Sequence, residues 1–290
     1  MFEGVLPAII TPFTKADTID KTGLQQNIEF VENGGVSGIA ACGTTGESAT
    51  LSTAEHMELI DIAVDCAKVP ILAGTGSNNT AEAIELTKHA EDAGAAGALV
   101  ISPYYNKPNN TGLIAHFKAI ADAVDMPIVL YNVPSRTGQD MPLEVIFELA
   151  KVDNILAIKE ASGNLDKVSQ IIENTMDEDF NVISGEDGLT MPIVGLGGTG
   201  VISVVANVVP EKMVKLVNAT KDGDLKTAQQ LHYEMAPLIR ALFTETNPIP
   251  VKRAVELIGL NTGHLRLPLA PISSENDQKL VDCLKELGCI

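Results

Sequence analysis

The chain has 290 residues, of which 45% are hydrophobic and 20% charged, and its formal net charge is -18. That length fits one large core close to the roughly 250 residues of a (β/α)8 barrel plus an appendage, and no apolar run reaches the roughly 18 residues of a membrane span. The acidity opposes nucleic-acid binding, which needs clustered Lys and Arg, and it requires local positive groups to hold any anionic substrate.

Residues 1–13 carry an early acid, no basic segment and two prolines, so a first strand is expected there and no secretory signal. Short apolar runs then alternate with amphipathic stretches. Strands are predicted at 5–10, 36–41, 71–73, 97–101, 128–133, 155–158, 181–183 and 201–205. Helices are predicted at 21–32, 53–68, 81–93, 113–124, 143–150, 166–174 and 210–219, with start signals at Ser52, Thr53 and Pro142. Eight near-continuous apolar strands suit a parallel sheet covered on its outside. The regular repeat favours an α/β (β/α)8 TIM barrel over residues 1–224, with a doubly wound open sheet as the competing architecture. Residues 225–290 read as a helical C-terminal extension, interrupted at Asn247-Pro248 and around 268–271.

Cys42, Cys66, Cys283 and Cys289 show no ligand-like spacing and are expected as reduced residues of a cytoplasmic protein. The triplets Asn78-Asn79-Thr80 and Asn109-Asn110-Thr111 then carry no glycosylation meaning. His56, His89, His116, His232 and His264 are isolated, so no metal site is expected, and His89 and His116 read as solvent-facing helix residues. No serine lies in a GxSxG elbow. The run 195–200 satisfies GxGxxG but precedes a strand, against a dinucleotide site; a phosphate cradle is the remaining ligand reading of those glycines.

Polar clusters follow the second, fourth and fifth strands, where a barrel places its chemistry. Lys159 ends an apolar strand, where a charge is costly. It is either a structural lysine paired with Glu160 or a desolvated amine able to attack a carbonyl. Tyr131 ends the preceding strand, from which its hydroxyl would donate and accept protons beside Lys159. Ala40, Cys42 and Thr44 fall on one face by strand alternation, and Gly43 and Gly46 permit close approach of a small carboxylate to backbone N–H groups.

Three segments, Gly43-Thr44-Thr45-Gly46-Glu47, Tyr131-Asn132-Val133-Pro134-Ser135-Arg136-Thr137-Gly138 and Ile158-Lys159-Glu160, together resemble the dihydrodipicolinate synthase and N-acetylneuraminate lyase family. The likeness runs over essentially the whole chain. Pro103-Tyr104-Tyr105-Asn106-Lys107-Pro108 and the Pro-Ser-Arg-Thr-Gly segment are similar to the synthase branch. The resemblance implies a Schiff-base-forming lyase of the class I aldolase type, without cofactor or metal. Lys159 would form an imine with pyruvate, and Thr44, Tyr131 and Tyr105 would relay protons, with Tyr105 reaching a neighbouring subunit's site. Thr45 would bind the pyruvate carboxylate, with the Gly185 and Ile202 backbone near the keto acid. Arg136 would hold the carboxylate of aspartate semialdehyde. The implied product is 4-hydroxy-tetrahydrodipicolinate, on the diaminopimelate route to lysine. Family alternatives are a 2-keto-3-deoxy sugar acid aldolase and N-acetylneuraminate lyase. The resemblance also implies a homotetramer built as a dimer of dimers, and a lysine-binding cleft at Ser48, Ala49, His56, Asn78, Glu82 and Tyr104. Thr53 stands where lysine-inhibited relatives often carry histidine, which sets this cleft apart.

Overall fold

Apolar runs and amphipathic stretches alternate in the folded chain as they do in the sequence. The computed structural model describes residues 2–290. The strands are β1 (Gly4–Pro7), β2 (Ile39–Ala41), β3 (Ile71–Gly74), β4 (Gly97–Ile101), β5 (Ile128–Asn132), β6 (Ile155–Glu160), β7 (Asn181–Ser184) and β8 (Gly200–Ser203). Their order around the sheet is β1-β8-β7-β6-β5-β4-β3-β2, with parallel pairing throughout. An Ala8↔Ala40 bridge, with the Ile9 N–H donating to the Ala40 carbonyl at 2.9 Å, joins the end strands. A barrel results, not an open sheet.

The crossovers are α1 (Lys21–Asn33), α2 (Thr53–Cys66), α3 (Thr80–Asp92), α4 (Asn110–Ala121), α5 (Pro134–Thr137), α6 (Leu143–Leu149), α7 (Leu165–Asn174), α8 (Thr190–Gly195) and α9 (Pro210–Lys221). Helix α2 starts with a capping box between Ser52 and Glu55, which satisfies two otherwise orphaned N–H groups. Both Asn-x-Thr triplets supply caps: the Asn79 and Asn109 side chains accept from Ala81 N and Gly112 N. Helix α4 therefore begins three residues before its predicted start. The one-turn α5 and six-residue α8 lie outside the predicted helices. Neither is long enough to display a 3.6-residue period, and Pro192 sits within α8.

Two layers of apolar side chains result. Leu6, Leu72, Leu99, Val129, Ala157, Ile183 and Ile202 fill the barrel interior, while a larger core that includes Ile28, Ile60, Phe117, Ile146 and Ile171 lies between strands and helices. The glycines at 195–200 lie at the N-terminal end of β8, away from the rim that carries Lys159. A Cβ on Gly200 would sit 2.0 Å from the Gly4 carbonyl oxygen, so close packing of β1 on β8 accounts for it.

Three further helices follow, α10 (Leu225–Ala241), α11 (Ile249–Leu257) and α12 (Ser274–Glu286). Helix α10 packs on α9, and α12 packs on α10 and α11. Two expectations need correcting. His116 is buried, not solvent-facing: its Nδ1 pairs with Thr80 Oγ1 at 2.9 Å and its ring meets Phe117 edge-on. Desolvation lowers its pKa to about 4. Cys42 does not share a face with Ala40, because β2 ends at Ala41 and Cys42 has φ +57°. The chain turns there, and the thiol packs in the outer core.

Candidate active site

Strand register determines where the catalytic candidates point. Between β5 and β6, Ile128 pairs with Ile155 and Val129 with Ala157, so Leu156 is an extra residue on β6. Such a bulge re-aims the residues after it. Ala157 and Lys159 consequently face the barrel interior, whereas Ile158 and Glu160 face outward. Tyr131 pairs with Lys159 in register, and the Lys159 ammonium lies 4.2 Å from the centre of the Tyr131 ring, a cation–π contact.

Glu160 is not the partner of Lys159. Its carboxylate accepts from Asn132 Nδ2 at 2.9 and 3.1 Å and from Ser162 N at 2.7 Å, and it faces Lys167 at 3.9 Å. Lys159 is only 6% exposed and forms no ion pair among the described residues. A buried amine without an ion-pair partner is poorly explained by structural salt bridging, and it sits on the wall of a cavity of about 380 Å³.

Thr44, Thr45, Tyr131, Arg136, Gly185 and Asn247 also line this cavity. Gly185 follows β7 with no room for a side chain, since a Cβ there would lie 2.6 Å from Ala161 Cβ and 3.2 Å from Lys159 Cε. Thr44 and Thr45 are carried on a tight turn in which Gly46 N and Glu47 N donate to the Gly43 and Thr44 carbonyls, each at 3.1 Å. Arg136 is exposed on α5, and its Nη2 donates to the Asn247 carbonyl at 3.2 Å. Ile202 belongs to the interior layer and does not line the cavity.

Five residues have site contacts that the sequence reading did not assign. Asn247 Nδ2 donates to Thr45 Oγ1 at 3.0 Å. Glu47 pairs with Lys252 of α11, both side chains fully buried, and also accepts from Arg266 N at 3.2 Å. Burial lowers the Lys252 pKa, against the opposing pull of Glu47. Glu186 and Asp187 line the cavity beyond Gly185. Burial raises the pKa of both, and neighbouring acids raise that of Glu186 further. Asp187 Oδ2 accepts from Val204 N and Val205 N at 3.0 and 2.8 Å, fixing the loop after β8.

The Dihydrodipicolinate synthetase family model matches residues 1–287. The chain belongs to this family. It is 77% identical over all of both chains to the 4-hydroxy-tetrahydrodipicolinate synthase of Methanococcoides burtonii. Among solved structures it resembles the dihydrodipicolinate synthase of Acinetobacter baumannii complexed with pyruvate, with TM-score 0.97 and 41% identity over all of both chains. It also resembles the Cyanidioschyzon merolae enzyme with lysine bound, with TM-score 0.96 and 40% identity, covering 100% of this chain and 99% of that one.

In this dihydrodipicolinate synthetase family member, the remaining candidates lie away from Lys159. Tyr105 is 89% exposed with φ +71° and does not reach the cavity of its own chain. Ser48, Ala49, His56, Glu82 and Tyr104 line a second cavity of about 430 Å³, with Thr53 on its wall. Asn78 does not line it but donates to the Tyr104 carbonyl at 3.2 Å. His56 Nε2 lies 2.6 Å from the Gly74 carbonyl, so this nitrogen carries the proton. Gly43, Thr44, Leu99, Tyr131, Arg136 and Asn247 line both cavities.

Proposed function

We propose that the chain is a 4-hydroxy-tetrahydrodipicolinate synthase, a lyase that condenses pyruvate with L-aspartate 4-semialdehyde on the diaminopimelate route to lysine. The observation that carries the mechanism is the buried Lys159, without an ion-pair partner among the described residues, stacked on Tyr131 at the cavity wall. The Lys159 amine attacks the keto carbon of pyruvate, and water leaves as the imine forms. The protonated imine draws electrons from the methyl group, whose proton is taken by the relay of Tyr131, Thr44 and the partner chain's copy of Tyr105. The resulting enamine attacks the aldehyde carbon. The amino group of the semialdehyde then displaces Lys159 from the imine carbon, closing the ring.

Thr45 and the backbone around Gly185 and Ile202 hold the keto acid, and Arg136 holds the aldehyde's carboxylate with its planar fork. The working unit is a cytoplasmic homotetramer, a dimer of dimers in which each Tyr105 serves its neighbour. Exposure of Tyr105 outside its own cavity supports this arrangement. Lysine is the proposed effector of the second cavity, where Glu82 offers a carboxylate to its ammonium. Among the described residues no group of three or more His, Cys, Asp or Glu could hold a metal ion, and no helix is long and apolar enough to cross a membrane.

Borohydride reduction in the presence of pyruvate tests the chemistry, with a three-carbon adduct expected on Lys159. The expected turnover with aspartate semialdehyde is well above that with glyceraldehyde or N-acetylmannosamine. Equal or greater activity with the sugars would replace the synthase assignment with a sugar-acid aldolase.

A further inference from the structure

We infer that Asn247 is a positioning residue that directs the Thr45 hydroxyl proton toward the keto-acid carboxylate. The inference rests on the proposed assignment of Thr45 to that carboxylate. A threonine hydroxyl has one proton and two acceptor lone pairs, whereas a carboxylate only accepts. Thr45 can therefore grip the substrate only if its proton is not spent on the protein. The contact at Thr45 Oγ1 supplies this condition, since the Asn247 amide donates to it at 3.0 Å. Occupying the oxygen in this way leaves the hydroxyl proton for the ligand.

The attachment is rigid for two reasons. Thr45 and Asn247 are 3% and 5% exposed, which leaves little room for other rotamers. Lys252, on the helix that begins two residues after Asn247, pairs with Glu47, two residues after Thr45. The C-terminal helices thus hold the 43–47 turn at two points, and the second fixes the register of the first. The amide oxygen of Asn247 is buried with no protein partner, so the fold engages the side chain through its NH2 group.

Asn247 also touches the grip on the other substrate, but through its backbone, because Arg136 Nη2 donates to its carbonyl. Side-chain replacement should therefore separate the two substrates. In Asn247→Ala, the pyruvate concentration giving half-maximal borohydride trapping on Lys159 should rise about three- to tenfold, the loss of one ordinary hydrogen bond. KM for the aldehyde should stay at the wild-type value. Asn247→Asp, nearly isosteric, should raise the half-trapping concentration further, roughly ten- to a hundredfold, because its carboxylate takes the Thr45 proton and repels the substrate. In a Thr45→Val background, Asn247→Ala should have no further effect on trapping, as expected of two residues acting as one unit.

The inference is overturned if Asn247→Asp traps pyruvate as readily as the wild type, or if the Thr45→Val and Asn247→Ala effects multiply. Since the aspartate variant differs little in shape, a matching thermal melt checks that the fold is retained. A wild-type protein that forms no adduct would remove the pyruvate assignment itself, a result distinct from an adduct whose pyruvate dependence ignores Asn247.

Discussion

Lys252 and Glu47, 205 residues apart in the chain, form an ion pair with no solvent exposure on either side chain. The Lys252 ammonium also lies 4.4 Å from the centre of the Phe13 ring, near which the Arg266 guanidinium lies at 4.2 Å. This cluster joins the first barrel strand's loop, the 43–47 turn and the C-terminal helices.

Replacing Lys252 by methionine should destabilise the fold by about 3–5 kcal/mol, because Glu47 is left as an uncompensated buried charge. Adding Glu47→Gln should recover part of that loss, since the charge that needed a partner is gone. Chemical denaturation of the two variants measures this directly, and a single Lys252→Met variant as stable as wild type would refute the role given to the pair.

Arg136→Lys tests the aldehyde grip. Its guanidinium presents paired donors that an ammonium cannot reproduce, so kcat/KM for aspartate semialdehyde should fall by about tenfold or more. Trapping of pyruvate on Lys159 should be unaffected, because Arg136 serves the second substrate. Equal loss in both measurements would mean that the substitution disturbs the whole rim.

His116 predicts an acid limb in stability. Burial lowers its pKa from 6.5 to about 4, so the unfolded chain binds the proton more readily. The contribution is fully present above pH 6.5 and is lost as pH falls toward 4, amounting to on the order of 3 kcal/mol. Denaturation midpoints for wild type and His116→Gln, compared across that window, should show a shallower slope for the variant.

The shared-site arrangement has its own test. Mixed Tyr105→Phe and Lys159→Ala subunits should regain activity on exchange, since a hybrid dimer places both defects in one site and leaves the other intact. No recovery, with exchange verified by native mass spectrometry, would assign Tyr105 to its own chain.

The barrel was legible because its strands are short, nearly continuous apolar runs at regular spacing, a signal that survives without tertiary information. Lys159 and Tyr131 were legible as polar residues closing two such runs. The bulge at Leu156 was not, although it turns Lys159 inward, because an extra residue changes pairing without changing composition. The burial of His116 is hidden from local pattern because it depends on how α4 meets the neighbouring α3. Asn247, Glu47 and Lys252 acquire their roles from partners some two hundred residues away, which local patterns do not encode. One trace existed: Lys252 interrupts the apolar stretch Ile249-Pro250-Val251, on a helix face that is buried.

The same long separation sets an order of events during synthesis. Glu47 leaves the ribosome 205 residues before Lys252 and 219 before Arg266, an interval of roughly 10–40 s at ordinary rates of chain elongation. Throughout it the glutamate lacks the Lys252 ammonium that meets it in the fold, and an unpaired carboxylate is far more stable in water than in a core. Burial of the turn bearing Thr44 and Thr45 is therefore disfavoured until α11 has emerged. A nascent chain can close its barrel while still tethered, but it completes its substrate grip only near release.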